Sequence, residues 1–330
     1  MNHSRLPQLF FIVSTLCCSI SGWSAEWQPL PPLPESNGGF IAGAIGDDVV
    51  ILGGTNWRNE TKHWLDKIWV YRSGEHRWRP AGTLPSAMAY AAVCQNNDGI
   101  FFVGGSDGQR THHQLYRLDA RFQLQSRAAI SQRVVYAGAA VAGAAMYVLG
   151  GATDASDLKT LSDEFFTLDL ADGKSKALPA FPGGRVTLPV LVAMGDRIFV
   201  FTGAFFDPAK DEVLNVDRAY VYSIPRATWK PVKSFPFPVR GLAGVALDDR
   251  HIFLGGGYKS DQLGFTDEAF LYDTRTDTYH KTTPLPYRAM ASPVKSGENL
   301  YWLGGEDQKR HRTDQFYKIA WRDLISAAGH

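Results

Sequence analysis

Glu306 and Arg312 are the two residues whose types and spacing most directly suggest chemistry. Glu306 directly follows the glycine pair Gly304-Gly305, and Arg312 stands in the same loop, which runs to Asp314. A carboxylate beside a guanidinium can accept a proton from a ligand, or the two groups can simply form an ion pair that braces the loop. The sequence alone leaves both interpretations open.

Four more arginines occur at a recurrent position, 15 to 17 residues before a glycine pair or its degenerate equivalent. They are Arg133, Arg185, Arg240 and Arg288, while Asn37 and Ala87 stand near the equivalent place in the first two repeats. Four guanidinium groups around one axis would suit a carboxylate ligand, which arginine binds through two parallel hydrogen bonds. Any single arginine can equally pair with a neighbouring repeat. As a set, they predict at least one ligand contact.

The loops that follow the glycine pairs differ from repeat to repeat, as expected where function is added to a repeated scaffold. The first of these loops contains Asn56 and Trp57, and the second contains Asp107. We expect these three side chains to contact a ligand, with Trp57 forming a wall of its site.

A β-rich run that ends in a glycine pair recurs along the chain and would position all of these residues. The runs end at residues 54, 105, 151, 203, 256 and 305, and the fourth is degenerate, with Thr202 in place of the first glycine. Six repeats of about fifty residues resemble kelch repeats, each of which forms one four-stranded blade of a β-propeller. The sequence therefore predicts an all-β fold, a six-bladed kelch-type propeller.

The two ends of the chain are predicted to complete one blade together. An aromatic residue six positions before a Leu-Pro or Phe-Pro step recurs in the repeats, and the same spacing joins Trp27 to Leu33-Pro34. The last repeat stops after its third strand, so we expect the N-terminal strand to supply the outer strand of the sixth blade. Such closure removes an open sheet edge.

The composition is that of an ordinary globular protein, with 45% hydrophobic and 20% charged residues and a formal net charge of +1. It predicts neither nucleic-acid binding nor membrane insertion. Residues 1–24 read as a signal peptide, with an uncleaved anchor as the alternative, and this predicts export across the inner membrane into the periplasm. Residues 25–330 are then one propeller domain. Its one cysteine, Cys94, leaves no partner for an internal disulfide.

The loop from Gly305 to Asp314 resembles a known family. Its pattern of Gly-Glu, five residues, then Arg-Thr-Asp is similar to that of the bacterial N-acetylneuraminate epimerases, also called sialic acid mutarotases, which are periplasmic kelch propellers. The segments Met88-Ala89-Tyr90 and Gly99 to Asp107 resemble the last blade of that family but stand here in the second repeat. The chain is therefore similar to a cyclically permuted subfamily, and a closed ring tolerates such permutation.

The resemblance implies a function and roles for two residues. It implies interconversion of the α and β anomers of free N-acetylneuraminate, a small acidic sugar, with Glu306 as the proton acceptor and Arg312 as its partner. The other arginines are then candidate contacts to the sugar's carboxylate or glycerol chain. No cofactor and no metal site are expected, and the sequence does not indicate an oligomeric state.

Three other functions are alternatives to this one. A sialidase is disfavoured because no repeat contains a Ser-x-Asp-x-Gly-x-Thr-Trp box. A galactose-oxidase-like copper enzyme is disfavoured because Cys94 lies in a strand-like run rather than in a pocket loop, and the histidines show no metal spacing. The remaining rival is a non-catalytic secreted kelch propeller that binds an acidic glycan or a protein through the same face.

Overall fold

The six repeats form six antiparallel sheets of four strands, which are the blades of a β-propeller. The computed structural model of the protein describes residues 25–329, so the predicted signal peptide at 1–24 lies outside the described residues. The first strands of neighbouring blades contact one another around a full ring and line a central channel. The second strand of each blade is apolar and almost wholly buried, because other strands cover it on both sides and on both faces.

Five blades are built from four strands of their own repeat, and in blades 1, 4 and 5 a two-stranded hairpin stands between the second and third of these strands. Blade 1 contains Ile41–Ile45, Asp48–Leu52, Lys67–Arg72 and Arg77–Thr83. Blade 2 contains Ala92–Asn96, Gly99–Val103, Gln114–Leu118 and Leu124–Ala129. Blade 3 contains Gly138–Ala142, Ala145–Leu149, Phe165–Asp169 and Ser175–Ala177. Blade 4 contains Val190–Met194, Arg197–Phe201, Ala219–Ser223 and Thr228–Val232. Blade 5 contains Ala243–Ala246, His251–Gly255, Ala269–Asp273 and Thr278–Lys281.

Blade 6 is completed by the N-terminal segment, as the sequence predicts. Its strands are Met290–Ser296, Asn299–Glu306, Phe316–Ala320 and the short outer strand Gln28–Pro29. Gln28 pairs with Lys318 and Pro29 with Tyr317, and the Leu33 N–H then donates to the Asp314 carbonyl at 2.8 Å. The ring is thus closed by hydrogen bonds between the two ends of the chain.

Leu33 anchors the closing segment, because its side chain is 3% exposed and packs into the cluster between blades 1 and 6. We expect Leu33→Ala to lower the free energy of unfolding by about 2–5 kcal/mol, the usual cost of emptying a buried leucine site. Leu263→Ala is the matched control, since Leu263 is 69% exposed, and it should stay within about 0.5 kcal/mol of the wild type. Urea unfolding measures both, and equal losses would contradict this role for Leu33.

A C-terminal helix, Trp321–Ala328, follows the last strand and was not predicted from the sequence. Trp321 and Leu324 are buried and join the apolar cluster around Trp302, so the helix covers the blade 5–blade 6 junction. Within the described range, no helix is both long and apolar enough to cross a membrane.

The glycine pairs allow a sharp turn and a close approach between blades. In blade 2, Gly104 and Gly105 have φ of 73° and 83°, and a Cβ on Gly104 would lie 2.0 Å from the Val134 carbonyl oxygen of the next blade. In the fifth repeat the residues with this conformation are Gly256 and Gly257, one position later than the sequence pattern assigns. Gly255 is the last residue of the strand His251–Gly255 and pairs with Ala269 of the next strand. The turn therefore begins one residue later, which explains the shift.

Candidate functional site

Two sets of loops meet at one end of the central channel. The loop that leads into a blade forms an isolated bridge with the loop after that blade's glycine pair, for example Gly38 with Thr55 and Ala89 with Ser106. On one side of the axis the leading loops are also joined to each other. The Tyr90 N–H donates to the Gly39 carbonyl and the Tyr136 N–H donates to the Tyr90 carbonyl. This chain of bonds fixes the wall of the channel mouth.

Glu306 and Arg312 form an ion pair at this mouth. Glu306 is the last residue of its strand and pairs opposite Met290, while Arg312 lies on the returning limb of the same loop. The distance from Arg312 Nη1 to Glu306 Oε2 is 2.9 Å. The Arg312 side chain is 4% exposed and the Glu306 side chain 26% exposed. The carboxylate is therefore open to a ligand, whereas the guanidinium is held in the protein.

The guanidinium of Arg312 is fixed by neighbours from two other blades. Its Nη2 donates to the Tyr90 hydroxyl at 3.3 Å, its Nε lies 3.4 Å from Thr55 Oγ1, and its Nη1 also donates to the His311 carbonyl. Thr55 Oγ1 lies 3.2 Å from the Tyr90 hydroxyl. A guanidinium fixed in this way can bind two oxygen atoms at defined positions.

Gly38 makes room for this guanidinium. A Cβ at Gly38 would lie 2.5 Å from Arg312 Cδ and 2.8 Å from Nε, and the backbone of Gly38 does not need a positive φ. We expect Gly38→Ala to fold but to displace Arg312 from Glu306, and so to lower any activity of the site at least about tenfold. Gly74→Ala is the control, because a Cβ at Gly74 meets nothing within 4 Å. A crystal structure of Gly38→Ala with the ion pair unchanged would contradict the argument.

The cavity at the mouth has a volume of about 500 Å³ and is lined by loops or strand ends from all six blades. Its lining includes the ion pair of Glu306 and Arg312 and four further side chains, Trp57, Lys62, Tyr90 and Tyr136. A second cavity of about 990 Å³ shares Glu306 and is lined by Arg240, Tyr258 and Arg288. These volumes suit a small polar ligand. Glu306 lies where the two cavities meet.

The predicted ring of four arginines is not formed. Arg240 and Arg288 line the second cavity, but Arg288 is largely exposed and pairs with Asp267 at 3.4 Å. Arg133 is exposed and lines a third cavity beside Asp154, which shares Lys62 and Tyr136 with the cavity at the mouth but does not contain Glu306. Arg185 is exposed on its leading loop and lines neither of the two cavities described above that contain Glu306.

A shift of two residues distinguishes Arg240 from the other three arginines. The bridged residue of the leading loop is Val135 in blade 3 and Thr187 in blade 4, but Arg240 itself in blade 5. Arg133 and Arg185 therefore precede the bridged residue by two positions, and Arg288 likewise precedes Met290, the residue opposite Glu306, by two. Arg240 stacks over the Tyr258 ring at 4.5 Å and donates to Asn215 Oδ1 at 3.3 Å. It is the arginine of this set that is built into the wall beside Glu306.

The remaining predicted contacts have different surroundings. Trp57 lines the same cavity as Glu306, as predicted for a wall. Asn56 is 8% exposed, and its Oδ1 accepts a bond from the Trp57 N–H, so it shapes the loop.

Asp107 Oδ1 accepts bonds from the N–H groups of Gln109 and Arg110. Burial acts to raise the pKa of Asp107, but these bonds outweigh it and hold the pKa below the usual value. Its carboxylate thus stabilises its own turn.

Sequence reasoning missed Tyr90 and Lys62. Tyr90 belongs to the Met88-Ala89-Tyr90 segment that carries the family resemblance, but it was given no role. Its φ of 61° is unusual for a tyrosine and is visible from structure alone. Lys62 lies on an inserted hairpin, Thr55–Arg58 with Thr61–Trp64, and no repeat pattern marks it. Its ammonium lies 4.7 Å from the centre of the Tyr90 ring.

The chain is similar to N-acetylneuraminate epimerases and to a kelch-like protein. No family model matches the chain. An N-acetylneuraminate epimerase of Haemophilus influenzae is 33% identical over 206 residues, which are 49% of this chain and 54% of that protein. An N-acetylneuraminate epimerase of Brucella suis is 32% identical over 107 residues, 26% of this chain and 27% of that protein. Kelch-like protein 40 of Mus musculus is 25% identical over 181 residues, 54% of this chain and 28% of that protein.

These similarities confirm the predicted resemblance to the N-acetylneuraminate epimerases and to kelch proteins. The aligned part spans about half the length of the Haemophilus influenzae relative. The cyclically permuted order of blades stays a prediction.

Proposed function

We propose that this six-bladed kelch-type propeller, a relative of proteins named N-acetylneuraminate epimerase, interconverts the α and β anomers of free N-acetylneuraminate. The observation that carries the proposal is the ion pair of Glu306 with the buried Arg312 at the mouth of the central cavity. The names of the Haemophilus influenzae and Brucella suis relatives support the choice of sugar. The reaction is placed in the periplasm, the compartment predicted from residues 1–24.

The proposed reaction needs a proton acceptor and a proton donor. To open the sugar ring, the anomeric hydroxyl must lose a proton and the ring oxygen must gain one. Glu306 is the base in this proposal, because its carboxylate reaches the cavity and its Oε2 is held by Arg312. A positioned general base contributes about 10²–10⁴-fold to such a rate. The reverse steps on the other face of the carbonyl complete the exchange of anomers.

Binding of the substrate carboxylate is assigned to Arg240 in the adjoining cavity. Its guanidinium is half-buried, already oriented by Asn215 and Tyr258, and shares the cavity with Glu306. Arg288 lies on the exposed rim of the same cavity, where water screens its charge. Arg240 therefore contributes more to binding than Arg288 in this proposal.

The test is to mix the protein with freshly released α-N-acetylneuraminate and follow both anomers by NMR. The proposed function predicts that the decay rate of the α signal rises in proportion to the protein concentration. Thermal stabilisation by the sugar without any acceleration would instead indicate a non-catalytic binding protein. If the sugar does not stabilise the protein and the protein does not accelerate the decay, the proposal of sugar binding is contradicted altogether.

A further inference from the structure

Tyr90 stands on the opposite side of the Arg312 guanidinium from Glu306. Nη1 of Arg312 contacts Glu306 Oε2 at 2.9 Å, and Nη2 contacts the Tyr90 hydroxyl at 3.3 Å. One planar group thus holds a carboxylate and a phenol, and both line the same cavity. A reaction that removes one proton and supplies another needs two such groups.

The backbone holds Tyr90 in a strained conformation at this place. Its φ of 61° lies in the left-handed region, which non-glycine residues rarely adopt. The Tyr90 N–H donates to the Gly39 carbonyl at 2.7 Å, and the Tyr90 carbonyl accepts from Tyr136. A Cβ at Gly39 would lie 2.3 Å from the Tyr90 ring, so Gly39 leaves space for it. The surrounding loops therefore impose the position of the ring.

The charges around Tyr90 favour its ionised form. Lys62, from the blade 1 hairpin, lies 4.7 Å from the ring centre, and Arg312 contacts the hydroxyl from blade 6. Tyr136, from blade 3, packs against the ring at 4.8 Å, and Glu306 lies beyond Arg312. Burial raises the pKa of the Tyr90 phenol, but Lys62 and Arg312 outweigh burial and hold the pKa below its ordinary value. For Tyr136, burial dominates and raises the pKa.

We propose that Tyr90 is the second proton-transfer group of this site, donating its phenolic proton to the ring oxygen of the sugar while Glu306 accepts the proton of the anomeric hydroxyl. This inference rests on the proposed function. The bond between the anomeric carbon and the ring oxygen breaks, and its electron pair stays on the ring oxygen, which takes the Tyr90 proton. The anomeric hydroxyl becomes the carbonyl of the open-chain keto acid.

Ring closure reverses these steps on the other face of the carbonyl. The Tyr90 phenolate recovers a proton from the attacking hydroxyl, and Glu306 returns its proton to the carbonyl oxygen. Each group ends in its starting state, so no co-reactant is consumed. Between the two steps, Lys62 and Arg312 stabilise the phenolate, which is where fixed positive charge lowers the barrier most.

The first test is the rate of anomer exchange in Tyr90→Phe, a change that removes one oxygen atom. We expect the acceleration to fall about 10²-fold, while N-acetylneuraminate still raises the melting temperature. Tyr116→Phe is the control, because Tyr116 lies in the third strand of the same blade, stacked on Phe102, away from the cavity. It should keep the wild-type rate.

The second test uses pH and does not depend on the folding of the tyrosine variant. A phenol that donates a proton must be protonated, so the wild-type acceleration should fall as pH rises through the lowered pKa of Tyr90. Lys62→Gln removes the nearby ammonium and should move this alkaline fall to higher pH. A purely structural role for Lys62 would lower the rate without moving the fall.

The outcomes separate this inference from the proposed function. No acceleration by the wild-type protein overturns both. Acceleration by the wild type that survives unchanged in a folded Tyr90→Phe, or an alkaline fall that Lys62→Gln leaves in place, overturns the role of Tyr90 and leaves the proposed function standing.

Discussion

Glu306→Gln is expected to lower the acceleration of anomer exchange by about 10³-fold, within the range that a general base contributes. The amide is nearly the same size as the carboxylate and can still accept a hydrogen bond from Arg312 through its oxygen. It cannot take a proton from the anomeric hydroxyl. The variant should therefore fold normally and still be stabilised by N-acetylneuraminate, and the loss should appear in the rate.

The control for Glu306→Gln is Glu298→Gln in the same blade. Glu298 lies in the turn at the opposite end of the blade, is 66% exposed and pairs with Arg322. It should have the wild-type rate. If Glu306→Gln retains that rate as well, then Glu306 braces its loop and the base is another group.

Removal of Arg312 is expected to reduce both activity and stability. Arg312→Met leaves Glu306 without its cationic partner and removes the donor to Tyr90, so we expect a loss of about 10²–10³ in rate, as for other fixed donors in active sites. The free energy of unfolding should fall by about 1.5–3 kcal/mol, the value of hydrogen bonds to a charged group. It should not reach the cost of breaking a fully buried pair, because Glu306 is open to water in the cavity.

Arg310→Met tests whether this loss belongs to Arg312 or to positive charge on the loop in general. Arg310 lies two residues earlier with an exposed side chain. Its replacement should change neither the rate nor the urea midpoint by a comparable amount. Arg312→Lys should fall between the wild type and Arg312→Met, since an ammonium keeps the charge but lacks the planar fork. Equal effects of Arg310→Met and Arg312→Met would contradict the assignment.

The closed propeller could be predicted because its determinants are local and repeated. A glycine pair after an apolar run needs a positive φ, and that requirement is visible in the residue types themselves. The closing strand was found in the same way, from the spacing of Trp27 and Leu33. The C-terminal helix was not found, because its burial depends on a junction between blades 5 and 6 that exists only in the folded ring.

The site was predicted in part, and the limits have a physical origin. Glu306 and Arg312 share one short loop, so their contact follows from local sequence. The leading-loop arginines stand at similar distances from the glycine pairs along the chain, yet Arg240 is itself the bridged residue whereas Arg133 and Arg185 precede it by two positions. The contact of Tyr90 with Arg312 joins residues 222 positions apart, and a single sequence contains no signal for it.

The central claim is that the mouth of this propeller catalyses anomer exchange through Glu306. Magnetisation-exchange NMR on an equilibrium mixture of N-acetylneuraminate anomers tests it most directly, because a catalyst speeds both directions equally without changing the populations. With substoichiometric wild-type protein we expect exchange cross-peaks between the α and β signals that grow with protein concentration and are lost with Glu306→Gln. Cross-peaks no stronger than in buffer, or equally strong with Glu306→Gln, would contradict the claim.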